Sequence, residues 1–88
     1  MGVFSVGFGN YVSRERVVAI VGADSAPIRR AIQESRKEGT LIDATQGRRT
    51  RCAIFMDDGR IVVSGLGAET LAKRIESPPG EDSDADLG

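Results

Sequence analysis

The chain has 88 residues, 40% of them apolar and 5% aromatic, with one Cys, no His and no Trp. At this length folding removes only about 60% of the unfolded chain's surface from water, so a lone monomer would have a marginal core. With a disulfide, a Cys/His metal site and any His-based nucleophile excluded, oligomerisation is the remaining route to stability, and the charge of −1 hides +3 over residues 1–76 against −4 over residues 77–88.

Val3 to Val6 is expected as a short strand, and Gly7-Phe8-Gly9-Asn10 as a glycine turn between two strands. The β-branched run Val17 to Val21, stopped by Gly22, predicts a buried strand. Asp24 or Ser25 is placed to cap a helix opened by Pro27, whose missing amide proton costs nothing there. Ile28, Ala31, Ile32 and Ser35 supply its buried stripe, and Gly39 after Arg36 and Lys37 marks its stop. Leu41 to Ala44 predicts another strand, and the apolar-free segment 45–51 an exposed loop.

Cys52 to Met56 and Ile61 to Ser64 flank Asp57-Asp58-Gly59-Arg60, and Asp-Gly between apolar runs is a strong hairpin signal. After Gly65 and Gly67 a second amphipathic helix uses Ala68, Leu71, Ala72 and Ile75, with Pro78-Pro79 to end it. The tail, residues 77–88, is acidic and has the composition of a disordered segment. The fold class that follows is α+β, a small mostly antiparallel sheet with two helices, forming a single domain over residues 1–76.

No apolar run approaches the ~18 residues of a membrane span, and the first residues show no signal-peptide pattern, so the expected location is the cytoplasm. Gly7-Phe8-Gly9-Asn10 fails the dinucleotide fingerprint because position 12 is Val, and no other cofactor or small-molecule substrate motif occurs. Cys52 reads as a buried structural thiol, and Asp57 and Asp58 as turn residues. Asp43 stands before the basic loop and is a candidate to orient it through an ion pair. That loop carries Arg48, Arg49 and Arg51 with no acid from Ala44 to Met56. Gly47 allows close backbone approach, and Thr45 and Thr50 offer hydroxyls to phosphate oxygens. Arg14 and Arg16 precede the Val17 run. No aromatic residue is expected near the loop, which disfavours base stacking on single strands.

The runs Gly7-Phe8-Gly9-Asn10, Ser25-Ala26-Pro27-Ile28-Arg29-Arg30 and Leu41-Ile42-Asp43-Ala44-Thr45-Gln46-Gly47-Arg48-Arg49-Thr50-Arg51 resemble, in order and spacing, the RemA family of bacterial extracellular matrix regulatory proteins. The resemblance spans residues 3–75 and leaves the acidic tail outside. It implies a DNA-binding transcription regulator of biofilm-matrix genes, with a fold similar to the LytTR DNA-binding domain. It also implies a ring-shaped homo-oligomer around which double-stranded DNA wraps. The family's DNA-contacting arginines fall on Arg48, Arg49 and Arg16, and charge and position add Arg51 and Thr50. Ring closure requires a head-to-tail interface between copies. Two rivals stand beside this reading: an RNA-binding or ribosome-associated module, and a purely structural ring whose arginines pair with the neighbour's Asp43 or Asp58. An enzyme is not expected, since no nucleophile–base pair can be named.

Overall fold

A computed structural model describes residues 2–77 of the chain. Strands β1 (Val3–Gly7) and β2 (Asn10–Ser13) form an antiparallel hairpin, and a single 3-10 turn (Arg14–Arg16) leads into β3 (Val17–Gly22). Helix α1 (Ala26–Glu38), β4 (Leu41–Asp43), β5 (Cys52–Met56), β6 (Ile61–Ser64) and helix α2 (Ala68–Glu76) follow. The main sheet has the order β3-β5-β6-β4, antiparallel except for β4, which runs parallel to β6. This is the expected α+β class.

Alternation along β5 divides the core. Cys52 and Ile54 face a cluster with Phe4, Val6, Val12, Val62 and Leu71, so the hairpin and α2 cover that side of the sheet. Ala53 faces the other side with Ile61 and Val63, where Ile32 and Ala31 of α1 close the layer. The sheet is thus sandwiched, with α1 on one face and the hairpin plus α2 on the other. Burial raises the Cys52 thiol to about 11, which keeps it protonated at neutral pH and fits its structural role.

The α1 boundaries follow from local chemistry. Ser25 is the N-cap, its hydroxyl accepting from the Ile28 amide at 3.4 Å, and Gly39 ends the helix at φ 79°, a conformation that glycine adopts without steric cost. Ile32 and Ser35 are buried as the stripe predicts. The Asp-Gly hairpin forms between β5 and β6, with Gly59 at φ 89°. Pro78 and Pro79, and the tail beyond them, lie outside the described residues.

Four local expectations need correction. β3 is an edge strand rather than a buried one: its register shifts between Val17 and Ala19, and Val18 is 68% exposed. A bulge at an edge leaves one residue without a pairing partner and turns it outward. Ala72 is exposed, because α2 presents Leu71 and Ile75 to the hairpin instead. Thr45 is buried, although it belongs to the basic segment expected to lie in solvent. Ala44 closes the strand expected over 41–44 as a loop residue, its amide donating to the Val63 carbonyl at 2.9 Å.

Leu71 is fully buried against the hairpin and the sheet. Truncation there leaves a cavity where α2 joins the rest of the fold. Leu71→Ala is expected to cost about 2–5 kcal/mol, read as a drop in the urea midpoint at fixed protein concentration.

Candidate nucleic-acid interface

The basic loop leaves β4 and enters β5 at the end of the sheet where β3 and β6 also finish. It is tied on both sides. The Arg51 amide donates to the Ser64 carbonyl at 2.8 Å, and the Arg51 carbonyl accepts from the Ala23 amide at 3.1 Å. Ahead of these ties the chain reverses in a tight turn, with the Arg48 amide donating to the Thr45 carbonyl at 2.9 Å. Its two central residues, Gln46 at φ 54° and Gly47 at φ 81°, both lie in the left-handed region, the signature of a type I′ turn.

Asp43 holds this turn, though not by the expected ion pair with a loop arginine. Its Oδ1 accepts from the Thr45 amide at 2.8 Å and from the Thr45 hydroxyl at 2.7 Å. Those two hydrogen bonds, the side-chain one first, hold the Asp43 carboxyl below its ordinary value against an opposing desolvation, and the charge of Arg36 adds a lesser lowering. A short side chain two residues ahead of the amide reaches it through a small ring, which a guanidinium-to-carboxylate contact across the turn cannot match. Thr45 is thereby buried and unavailable for the phosphate contact expected of it, while Arg48, Arg49 and Arg51 stay exposed and Thr50 half-buried.

Gly65 sets how closely the loop packs. A Cβ at position 65 would lie 3.3 Å from the Arg48 Cβ and 3.5 Å from the Arg49 carbonyl oxygen. The loop backbone therefore rests directly on the chain leaving β6.

The residue that sequence reasoning missed is Phe8. Its ring lies under the Arg48 guanidinium, with 5.1 Å from the guanidinium carbon to the ring centroid. The expectation that no aromatic residue stands near the loop is thus overturned, because the β1–β2 turn is remote in sequence but folds beside residue 48. Phe8 has φ 57° and Gly9 φ 77°, again the pattern of a type I′ turn, here joining paired Gly7 and Asn10. A bulky residue in the left-handed region is uncommon and costs roughly 1–2 kcal/mol. The Asn10 side-chain amide steadies the turn by donating to the Gly7 carbonyl at 3.0 Å. The only sequence signal is the Phe-Gly pair itself, which lacks the Asn or Asp that usually marks this turn.

Arg16 is not brought to the loop. It sits at the far end of β5, where its carbonyl accepts from the Asp57 amide at 2.8 Å and its guanidinium pairs with Asp57 at 3.6 Å. β5 has five residues, so about 17 Å of strand separates Arg16 from Arg51. Within one subunit the expected site is therefore two sites, one at each end of the sheet. Asp58 is occupied locally, accepting from the Arg60 amide at 3.0 Å. The described residues hold no cluster of metal-ligating side chains and no helix long and apolar enough to cross a membrane.

What the geometry offers is a rigid, exposed, cationic turn rather than a reactive centre. Comparison with known proteins places it among regulators. The RemA-like family profile, described as extracellular matrix regulatory protein A-like, matches residues 3–75, and the chain belongs to that family. A protein of Acetivibrio thermocellus named as a regulatory protein is 49% identical over 86 residues, covering 98% of this chain and 92% of its own. One from Caldicellulosiruptor saccharolyticus is 49% identical over 85 residues, covering 97% and 83%. One from Bacillus cytotoxicus is 48% identical over 77 residues, covering 88% of each.

The lowered Asp43 carboxyl has a defined consequence for stability. It releases its proton more readily in the folded chain than in the unfolded one, so its stabilisation is complete above the ordinary value of 3.8 and is lost as pH falls through the lower folded value. Asp43→Asn is expected to be less stable than the parent at pH 6, by urea denaturation, with the difference shrinking once pH drops below 3.8.

Proposed function

We propose that the protein is a DNA-binding transcription regulator of the biofilm-matrix type, gripping duplex DNA through Arg48 and Arg49 repeated around a ring-shaped homo-oligomer. The observation that carries this reading is the preorganised turn: an exposed arginine pair held by the Asp43–Thr45 hydrogen bonds, the Gly65 contact and the Phe8 ring. Side chains already fixed in a binding geometry lose less entropy on contact with phosphate. Arg51 and Thr50 continue the same surface toward β5.

Repetition is what makes such a surface sufficient. Three phosphate contacts per subunit correspond to a salt slope of only about −2.7, the mark of weak binding. Several copies on one closed rim convert later contacts into intramolecular ones and multiply affinity without new residues. The exposed apolar side chains support a head-to-tail arrangement. Val18 projects from the β3 edge, while Ile42 and Tyr11 are exposed beside the opposite edge strand, β4. Two different apolar edges on opposite sides suit a heterologous interface and leave the sheet end with the arginine loop free. Arg16, at the other sheet end, joins the DNA surface only through assembly and takes the smaller share.

A purely structural ring is less well supported, because Asp43 and Asp58 already have partners within their own subunit. An RNA-binding module gains one supporting observation, the Phe8 ring beside Arg48, since an aromatic face can stack a base. Titration of duplex DNA against RNA at matched salt separates the two, and the expected result is tighter binding to the duplex.

In a native mass measurement the protein is expected to run as a closed oligomer and to gain mass with duplex DNA. A micromolar monomer would overturn the ring. Alanine at Arg48 or Arg49 should weaken DNA binding across many sequences and reduce the salt slope by about one for each phosphate left without its arginine, with assembly intact. Arg16→Ala should weaken it less.

Phe8→Asn separates preorganisation from folding. Asn suits the left-handed turn but offers Arg48 no ring, and a cation–π contact at an exposed site contributes about 0.5–1 kcal/mol. The variant is expected to match or exceed the parent in melting temperature while binding duplex DNA several-fold more weakly.

A further inference from the structure

The flank of the basic loop that faces α1 is not flat. A hollow of about 370 Å3 lies between the helix and the chain entering β5. Arg29, Gln33 and Arg36 reach it from successive turns of α1, and Arg49 and Thr50 reach it from the loop. The buried side chains of Ala23 and Ile32 contribute its apolar lining. The Arg29 guanidinium donates to the Asp24 carbonyl at the foot of the helix, at 2.6 Å, which fixes it at one end of the hollow. Asp24 is the acid among the lining residues, so three arginines face one carboxylate. Among the described residues none of these three arginines forms an ion pair.

We propose that this hollow binds a small molecule through its di- or triphosphate group, and that the bound ligand withdraws Arg49 and Thr50 from DNA. The second half rests on the DNA-binding reading, whereas the first half does not. Three guanidiniums around one concavity form a denser positive field than a single phosphodiester requires. A duplex presents its phosphates one at a time along a convex backbone, each with one charge. A diphosphate concentrates its charge in a volume that fits between a helix and a loop, and guanidinium forks suit its paired oxygens. The hollow has the volume of a small-ligand site, with polar groups converging over an apolar patch. Motif reading cannot detect it, because its residues come from three separate stretches of the chain.

Two of its arginines, Arg29 and Arg36, stand apart from the loop residues assigned to DNA and lie on the exposed side of α1, so neither contributes to the core, and Arg36 acts on the loop only through the least of the effects on Asp43. Calorimetric titration of the full chain in the absence of DNA, at matched ionic strength, tests the first half with inorganic pyrophosphate, a nucleoside diphosphate and the parent nucleoside. The expected result is binding of both phosphates and none of the nucleoside. Arg29→Ala and Arg36→Ala should each weaken binding about tenfold, the equivalent of one charge-assisted contact, with unchanged melting temperature. A nucleoside diphosphate that binds more tightly than pyrophosphate identifies a nucleotide as the source, and equal affinities identify the inorganic group.

Absence of phosphate binding, undiminished binding by both variants, or binding of the nucleoside alone overturns the ligand site. So does loss of duplex DNA affinity in Arg29→Ala and Arg36→Ala without pyrophosphate binding to the parent, which would make the hollow part of the DNA surface. The second half is read separately: pyrophosphate should raise the apparent DNA dissociation constant of the parent more than that of Arg36→Ala. Equal effects on the two overturn the coupling and leave the ligand titration to be judged on its own.

Discussion

Burial of the β5–β6 pair on both faces is the constraint from which the rest of the molecule follows. Cys52, Ala53 and Ile54 are inaccessible to solvent, as is Val63 across from Ala53. A two-faced strand pair needs cover on each side, and a chain this short has just enough for it: α1 on one face, the hairpin and α2 on the other. The cover is thin, and it ends before the outer strands do, leaving Val18 and Ile42 in solvent. The same central pair anchors the arginine turn, because the chain entering β5 is hydrogen-bonded to the ends of both β6 and β3. Core and arginine loop are therefore one mechanical unit, and the loop cannot swing away without opening the sheet end.

The site is built on two mirror-image turns, each with a non-glycine residue in the left-handed region. Gln46 and Phe8 both accept a backbone conformation that other residue types would adopt more easily. At Gln46 the strain is offset by the Asp43–Thr45 hydrogen bonds one residue earlier. At Phe8 the local compensation is the Asn10 amide, and the ring gains the Arg48 contact. Strain retained where a cation is positioned is the pattern expected of a surface whose geometry matters more than its local stability. Gly65 fits the same account, since a Cβ there would crowd the Cβ of Arg48.

Elements with strong local signals are legible in the sequence. The cap, stripe and stop of α1 each rest on residues within a turn of one another, and the Asp-Gly hairpin needs only its own flanks. Features that depend on partners distant in the chain are not legible. β3 reads as buried because its β-branched run does not reveal that only one neighbour pairs with it. The same limit applies to the site. The exposed arginines are visible as a run without acids, but the separation of Arg16 from them by the length of β5, and the arrival of Phe8 beside Arg48, are products of the tertiary fold. Asp43 draws notice for its charge, whereas it acts through hydrogen-bond geometry.

Arg49 is common to the two proposed anion-binding surfaces. It stands on the loop beside Arg48 and also lines the hollow against α1, so one guanidinium would serve both. A guanidinium has one charge and one planar fork, and it cannot satisfy a backbone phosphate on the rim and a diphosphate in the hollow at the same time. Coupling between the two ligands is then negative and, as a binding free energy, necessarily reciprocal. Its size in one subunit is limited to what Arg49 and Thr50 contribute, so a single site would respond weakly. In the proposed ring the same small penalty would recur at every loop on DNA, and the penalties would multiply just as the affinities would. On that proposal a modest effect on one arginine would become a large effect on the wrapped complex, with no need for the fold of any subunit to change.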